Sequence, residues 1–184
     1  MMKKLAVVAL ALGTLASCKA GSQKLEERIT AAEAKLLDSA DVKPIDVAAA
    51  RNVISMYQEY TSRFPKDSLA DNYWFKTGEL YNAIGVYDSA VWAWKTVTVQ
   101  YDSSSLAPKS LYWMAFVTEN NLTDYGTAVE LYKQFLQKYP TNQLAAAAQF
   151  SLENMSKSSL DIIREFEAKN GGADSTKKDT LQTK

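Results

Sequence analysis

Phe64-Pro65-Lys66-Asp67-Ser68-Leu69-Ala70 recurs as Tyr101-Asp102-Ser103-Ser104-Ser105-Leu106-Ala107 and again as Tyr139-Pro140-Thr141-Asn142-Gln143-Leu144-Ala145, at intervals of 37 and 38 residues. Each copy reads as an aromatic closing one helix, a turn with Pro or Asp, a polar capping residue, then Leu-Ala opening the next helix. The residues just upstream repeat too. Tyr57, Tyr60, Thr61 and Phe64 align with Trp94, Val97, Thr98 and Tyr101, and these with Tyr132, Phe135, Leu136 and Tyr139. Spacings of three and four put each set on one helical face, where an aromatic stripe is core. A fixed period of this length marks a stack of similar units, each burying its apolar face against the next.

Working outward from the repeats predicts eight helices in four antiparallel pairs, an all-α solenoid. The first covers about 24–38, with Leu25, Ile29, Ala32 and Leu36 on one face, and a break follows from Asp41 to Pro44. The others are expected at about 45–63, 67–83, 86–101, 105–120, 124–138, 141–155 and 158–169. The last is more polar and carries Leu160, Ile163 and Phe166. The outer pairs act as caps. From Asn170-Gly171-Gly172 onward almost nothing can be buried, so 170–184 is expected to be a disordered tail.

The central unit carries a resemblance. Trp74, Gly78, Tyr81, Gly85, Tyr87, Ala90 and Trp94 are similar in spacing to the tetratricopeptide signature. The following unit keeps it more loosely in Leu111, Ala115, Thr118, Tyr125, Ala128, Tyr132 and Pro140, with one residue added near Asn120-Asn121. The resemblance covers roughly residues 45–170 and implies a right-handed superhelical stack. Trp74, Gly78, Tyr81, Gly85, Tyr87, Ala90, Trp94, Ala115, Ala128 and Tyr132 would pack the repeats. The first helix of each pair would line a concave groove, through Asn72, Phe75, Lys76, Glu79 and Asn82 in one unit. Lys109, Tyr112, Trp113, Phe116, Glu119 and Asn120 follow in the next, and Phe150 and Asn154 continue the line. Mixed aromatic, amide and charged side chains suit a protein or peptide partner. Phe75, Tyr112 and Phe116 are the expected anchors.

Composition narrows the chemistry. Twenty-one basic and 21 acidic residues cancel, so no overall field draws nucleic acid. The chain has no His and one Cys, which excludes an internal disulfide and leaves no imidazole as general base or metal ligand. No cofactor fingerprint is present: Gly171-Gly172 precedes a polar tail and not a helix. The sharpest enzymatic idea is Glu79 and Glu119 as acid and base of a glycan-cleaving groove. Groove-lining glutamates are the simpler reading, so no catalytic or metal residue and no cofactor is expected.

At the N-terminus Met1-Met2-Lys3-Lys4 precedes an apolar run from Leu5 to Leu12, the form of an export signal and too short to span a bilayer. Leu15-Ala16-Ser17-Cys18 resembles the bacterial lipobox. That implies cleavage between Ser17 and Cys18, a signal peptide at 1–17, a lipid on Cys18 and a tether over 18–23. The helical domain would then cover 24–169. Lys19 after Cys18 favours the outer membrane, facing the periplasm. The whole is similar to tetratricopeptide lipoproteins of the outer membrane, above all to the lipoprotein component of the β-barrel assembly machinery. The resemblance implies a lipid-anchored scaffold for an envelope protein partner. The alternatives are an envelope-division coordinator of the Tol–Pal-associated type, a glycan-binding lipoprotein and a spacer without a groove ligand.

Overall fold

The computed structural model describes residues 20–37 and 44–156. The expected signal peptide, Cys18, the helix over 158–169 and the tail over 170–184 lie outside these residues. Seven helices and no strand are present among the described residues. They are α1 (residues 20–37), α2 (Val47–Arg63), α3 (Ala70–Ala83), α4 (Tyr87–Gln100), α5 (Ala107–Asn120), α6 (Tyr125–Lys138) and α7 (Ala145–Ser156). Each of α2 to α7 packs on the next along the chain, giving a tetratricopeptide-like helical solenoid. No described helix is long and apolar enough to cross a membrane.

The three recurring heptapeptides form the same turn, hydrogen bond for hydrogen bond. Phe64, Tyr101 and Tyr139 end their helices by donating their N–H to the carbonyls of Tyr60, Val97 and Phe135, at 2.8, 3.1 and 2.8 Å. Asp67, Ser104 and Asn142 then donate backbone N–H to the carbonyls of those aromatics. Their side-chain oxygens accept from the N–H of Leu69, Leu106 and Leu144 at 3.0, 3.0 and 2.9 Å. Three different polar residues thus do one job, bonding the backbone two residues on. This turn also explains why α3, α5 and α7 begin two to four residues later than expected: the polar residue caps a turn that precedes the helix.

The connections within the pairs differ as the sequence does. Gly85 sits at φ +75° and closes α3, with the Val86 N–H donating to the Tyr81 carbonyl at 2.8 Å. After α5 the left-handed position falls on Thr123 at φ 54°, and Asp124 then caps α6 by accepting from the Thr127 N–H at 3.1 Å. The residue added near Asn120-Asn121 is absorbed here.

The first helix extends further toward the N-terminus than expected. Residues 20–23, read as tether, are helical. Ser22 is buried, continuing the stripe of Leu25 and Ile29, and Gly21 lies against the Phe64 ring. Two core clusters meet at α3. Tyr73 joins Leu25, Ile29, Leu36, Ala50, Val53, Tyr57 and Tyr60, while Phe75 joins Trp94, Val97, Leu111, Met114, Tyr132 and Phe135. Trp94 of α4 packs tightly on α3 at Gly78, where a Cβ would stand 2.3 Å from Trp94 Nε1. Trp94 is 1% exposed, and its indole N–H donates to the Phe75 carbonyl at 3.2 Å.

Candidate partner-binding surface

Side chains of α1, α3 and α5 meet across one face. Lys76 on α3 reaches Glu33 on α1 at 2.8 Å, and Lys109 on α5 reaches Glu79 on α3 at 3.7 Å. The result is an alternating ladder, Glu33–Lys76 and Glu79–Lys109, across three helices. Both lysines also use aromatic rings. Lys109 Nζ stands 4.6 Å above the Phe75 centroid, and Lys76 Nζ is 6.0 Å from both the Tyr57 and Tyr73 centroids. Burial raises the Glu79 carboxyl above its ordinary pKa, and Lys109 and Lys76 pull it back. Glu33 also accepts a hydrogen bond from the Tyr57 hydroxyl. Burial foremost, with that carboxylate, drives the phenol well above the usual range.

The expected groove residues divide. Lys76, Glu79 and Lys109 are in the ladder. Phe75, expected as an anchor, is only 3% exposed. The Lys109 side chain closes over it and the core takes its ring, so it is a packing residue. Trp113 stacks on Trp94 at 6.2 Å between centroids and serves mainly to join α5 to α4. Tyr112 and Phe116 are half-buried, stacked at 6.3 Å, and remain on the face. Asn72 and Asn82 are half-buried. Exposed Asn120 turns its amide to the Phe116 carbonyl at 2.9 Å. Glu119 accepts from the Tyr132 hydroxyl at 2.8 Å, while Glu79 holds Lys109, so no contact joins the two glutamates as an acid–base pair. Among the described residues no three His, Cys, Asp or Glu side chains converge where they could hold a metal.

Toward α7 the face opens. A pocket of about 230 Å³ lies between Pro108, Lys109, Tyr112 and Trp113 of α5 and the turn Asn142–Leu144. It is smaller than the roughly 300–1,000 Å³ of small-molecule sites, and suits one side chain of a larger partner. Phe150, at the α7 position that Phe75 and Tyr112 occupy in their repeats, is 66% exposed. A second pocket of about 240 Å³ lies between Glu33, Leu36, Leu37, Tyr57, Lys76, Glu79 and Leu80. Sequence reasoning missed Glu33 and the pairing of tyrosine hydroxyls with helix carboxylates. The only signal in α1 was its apolar stripe, and a charged residue beside that stripe looks like any solvated position.

The residues expected to pack the repeats differ in burial. Gly78, Ala90, Trp94, Ala115, Ala128 and Tyr132 are buried, and Trp74, Tyr81 and Tyr87 are half-buried against the same core. Gly85 is exposed and serves its turn instead. No curated protein matches the chain. Residues 109–142, from the first turn of α5 to the turn before α7, match the family model described as tetratricopeptide repeat. With the helix stack, that match supports a tetratricopeptide repeat protein.

Proposed function

We propose that this chain is a non-enzymatic scaffold, lipid-anchored through Cys18 to the outer membrane, that holds a protein partner of the cell envelope on the face of α1, α3, α5 and α7. Tetratricopeptide repeats generally mediate protein binding, and a protein-interaction role rests on the repeat match. The observation that carries the choice of face is its composition. Half-buried Tyr112 and Phe116 and exposed Phe150 stand beside the ion-pair ladder, an aromatic centre with a polar flank. The membrane part of the proposal rests on Leu15-Ala16-Ser17-Cys18 and the preceding apolar run. Two acyl chains or more give stable anchoring, which one chain does not. A role in assembling outer-membrane proteins is the finest level of this reading, and rests on the sequence resemblance alone.

The test has two parts. Cells expressing the full chain are fed an alkyne fatty acid, and label on the protein should vanish with Cys18→Ala. Crosslinking of intact cells followed by mass spectrometry should then recover outer-membrane assembly proteins with the labelled form. Label surviving Cys18→Ala would refute the anchor, and recovery of division or peptidoglycan proteins would refute the assembly role.

A further inference from the structure

The three inter-repeat junctions share one register, and the third holds a carboxylate without the cation that the first supplies. Tyr57, Trp94 and Tyr132 occupy the same place in successive second helices. Lys76, Trp113 and Ser151 occupy the same place in the first helices that follow, at intervals of 37 and 38 residues. At the first junction Glu33 accepts from the Tyr57 hydroxyl and from Lys76 Nζ, and that ammonium lies against the Tyr57 and Tyr73 rings. At the second the pair is Trp94 on Trp113, stacked and uncharged. At the third Glu119 accepts from the Tyr132 hydroxyl at 2.8 Å, as Glu33 does from Tyr57, and the Tyr112 ring stands 6.0 Å from the Tyr132 ring. The place of Lys76 is held by Ser151, which carries no charge.

Nothing else among the described residues replaces the missing cation. The lysines of α5 and α6 are engaged elsewhere: Lys109 with Glu79, Lys133 with Glu130, and Lys138 over the Tyr139 ring. The described part of α7 has no Lys or Arg. A half-buried carboxylate fixed by a buried tyrosine hydroxyl, beside the half-buried Tyr112 ring, is a setting for an ammonium or guanidinium group, which gains from both the charge and that ring. This junction borders the end of the face where Tyr112 is half-buried and Phe150 is exposed.

We infer that Glu119, with Tyr132 and Tyr112, receives a Lys or Arg side chain presented by the protein partner, in the way the chain's own Lys76 fills the first junction. This rests on the proposed use of the α1–α3–α5–α7 face and names the chemistry of what docks there.

The experiment uses the full chain with tyrosine rings labelled for NMR, titrated with n-butylammonium as the probe and with n-butanol as the uncharged control. Saturable shifts of the Tyr112 and Tyr132 rings are expected with n-butylammonium and not with n-butanol. Glu119→Gln, which keeps the shape and the bond to Tyr132, should weaken the probe at least tenfold. Ser151→Lys should supply the ammonium from within, abolish probe binding and raise the melting temperature. Absence of saturable shifts in the parent chain, or equal affinity in Glu119→Gln, overturns the inference. Partner recovery after crosslinking separates its failure from that of the broader reading. If Tyr112→Ala loses the partner and Ser151→Lys keeps it, the cation site is wrong and the binding face stands. If neither loses it, the face itself is wrong.

Discussion

Replacing Gly78 by Ala is expected to destabilise this protein, against the ordinary effect of that change in a helix. In an open helix Ala is favoured over Gly by about 1 kcal/mol. Here the added Cβ would lie 2.3 Å from Trp94 Nε1 and 2.6 Å from Cδ1 and Cε2, distances no packed carbon tolerates. The indole cannot simply swing aside. It is buried, stacked on Trp113 at 6.2 Å, and tied to the Phe75 carbonyl at 3.2 Å. Overpacking of this kind costs about 1–3 kcal/mol, and a displaced buried N–H costs a further 1–3 kcal/mol or so. Taking the middle of each range and subtracting the propensity gain leaves a loss of about 3 kcal/mol. For a domain of this size that lowers Tm by about 9–15 °C. Thermal unfolding followed by circular dichroism reads it directly. A double-mutant cycle adds the cause: with Trp94→Leu, whose flexible end can move, Ala at 78 should be neutral or stabilising. A rise in Tm for Gly78→Ala alone would refute the packing described between α3 and α4.

Three further outcomes follow from local features. Thr123 holds φ 54°, a conformation costly for a β-branched residue, so Thr123→Gly should stabilise by about 1 kcal/mol in urea unfolding. The Ser110 hydroxyl is fully buried without a hydrogen-bond partner, so Ser110→Ala should raise stability by about 1 kcal/mol, and a loss of that size would mean the hydroxyl is satisfied. The hydrogen bonds of Asp124 to Thr127 lower its carboxyl pKa below the ordinary value of 3.8. Its capping contribution is therefore present above about pH 4 and is lost as pH falls through the depressed value. Tm plotted against pH should separate the parent chain from Asp124→Ala at neutral pH and bring the two together in strong acid.

The helix order was readable because Phe64, Tyr101 and Tyr139 end their helices identically, and a repeated turn needs repeated residues. Helix starts were less readable. Asp67, Ser104 and Asn142 look like caps on the helix itself, whereas each caps a turn that delays the helix. The binding face was legible in outline only. Register placed Phe75 and Tyr112 alike, yet their fates diverge with the residue that follows in the next repeat. Lys109 covers Phe75, while the matching residue beyond Tyr112 is Ala147, too short to cover anything. Long-range partners of this kind, like Glu33 with Lys76 across 43 residues, leave no periodic trace along the chain.

The claim that a protein partner lies on the α1–α3–α5–α7 face is tested most directly by placing a photocrosslinking amino acid at one position at a time in intact cells. Phe150 is the probe on that face, and Val99, equally exposed on α4, is the control outside it. The account predicts discrete protein adducts from position 150 and none from position 99. Adducts from 99 with none from 150 would contradict it.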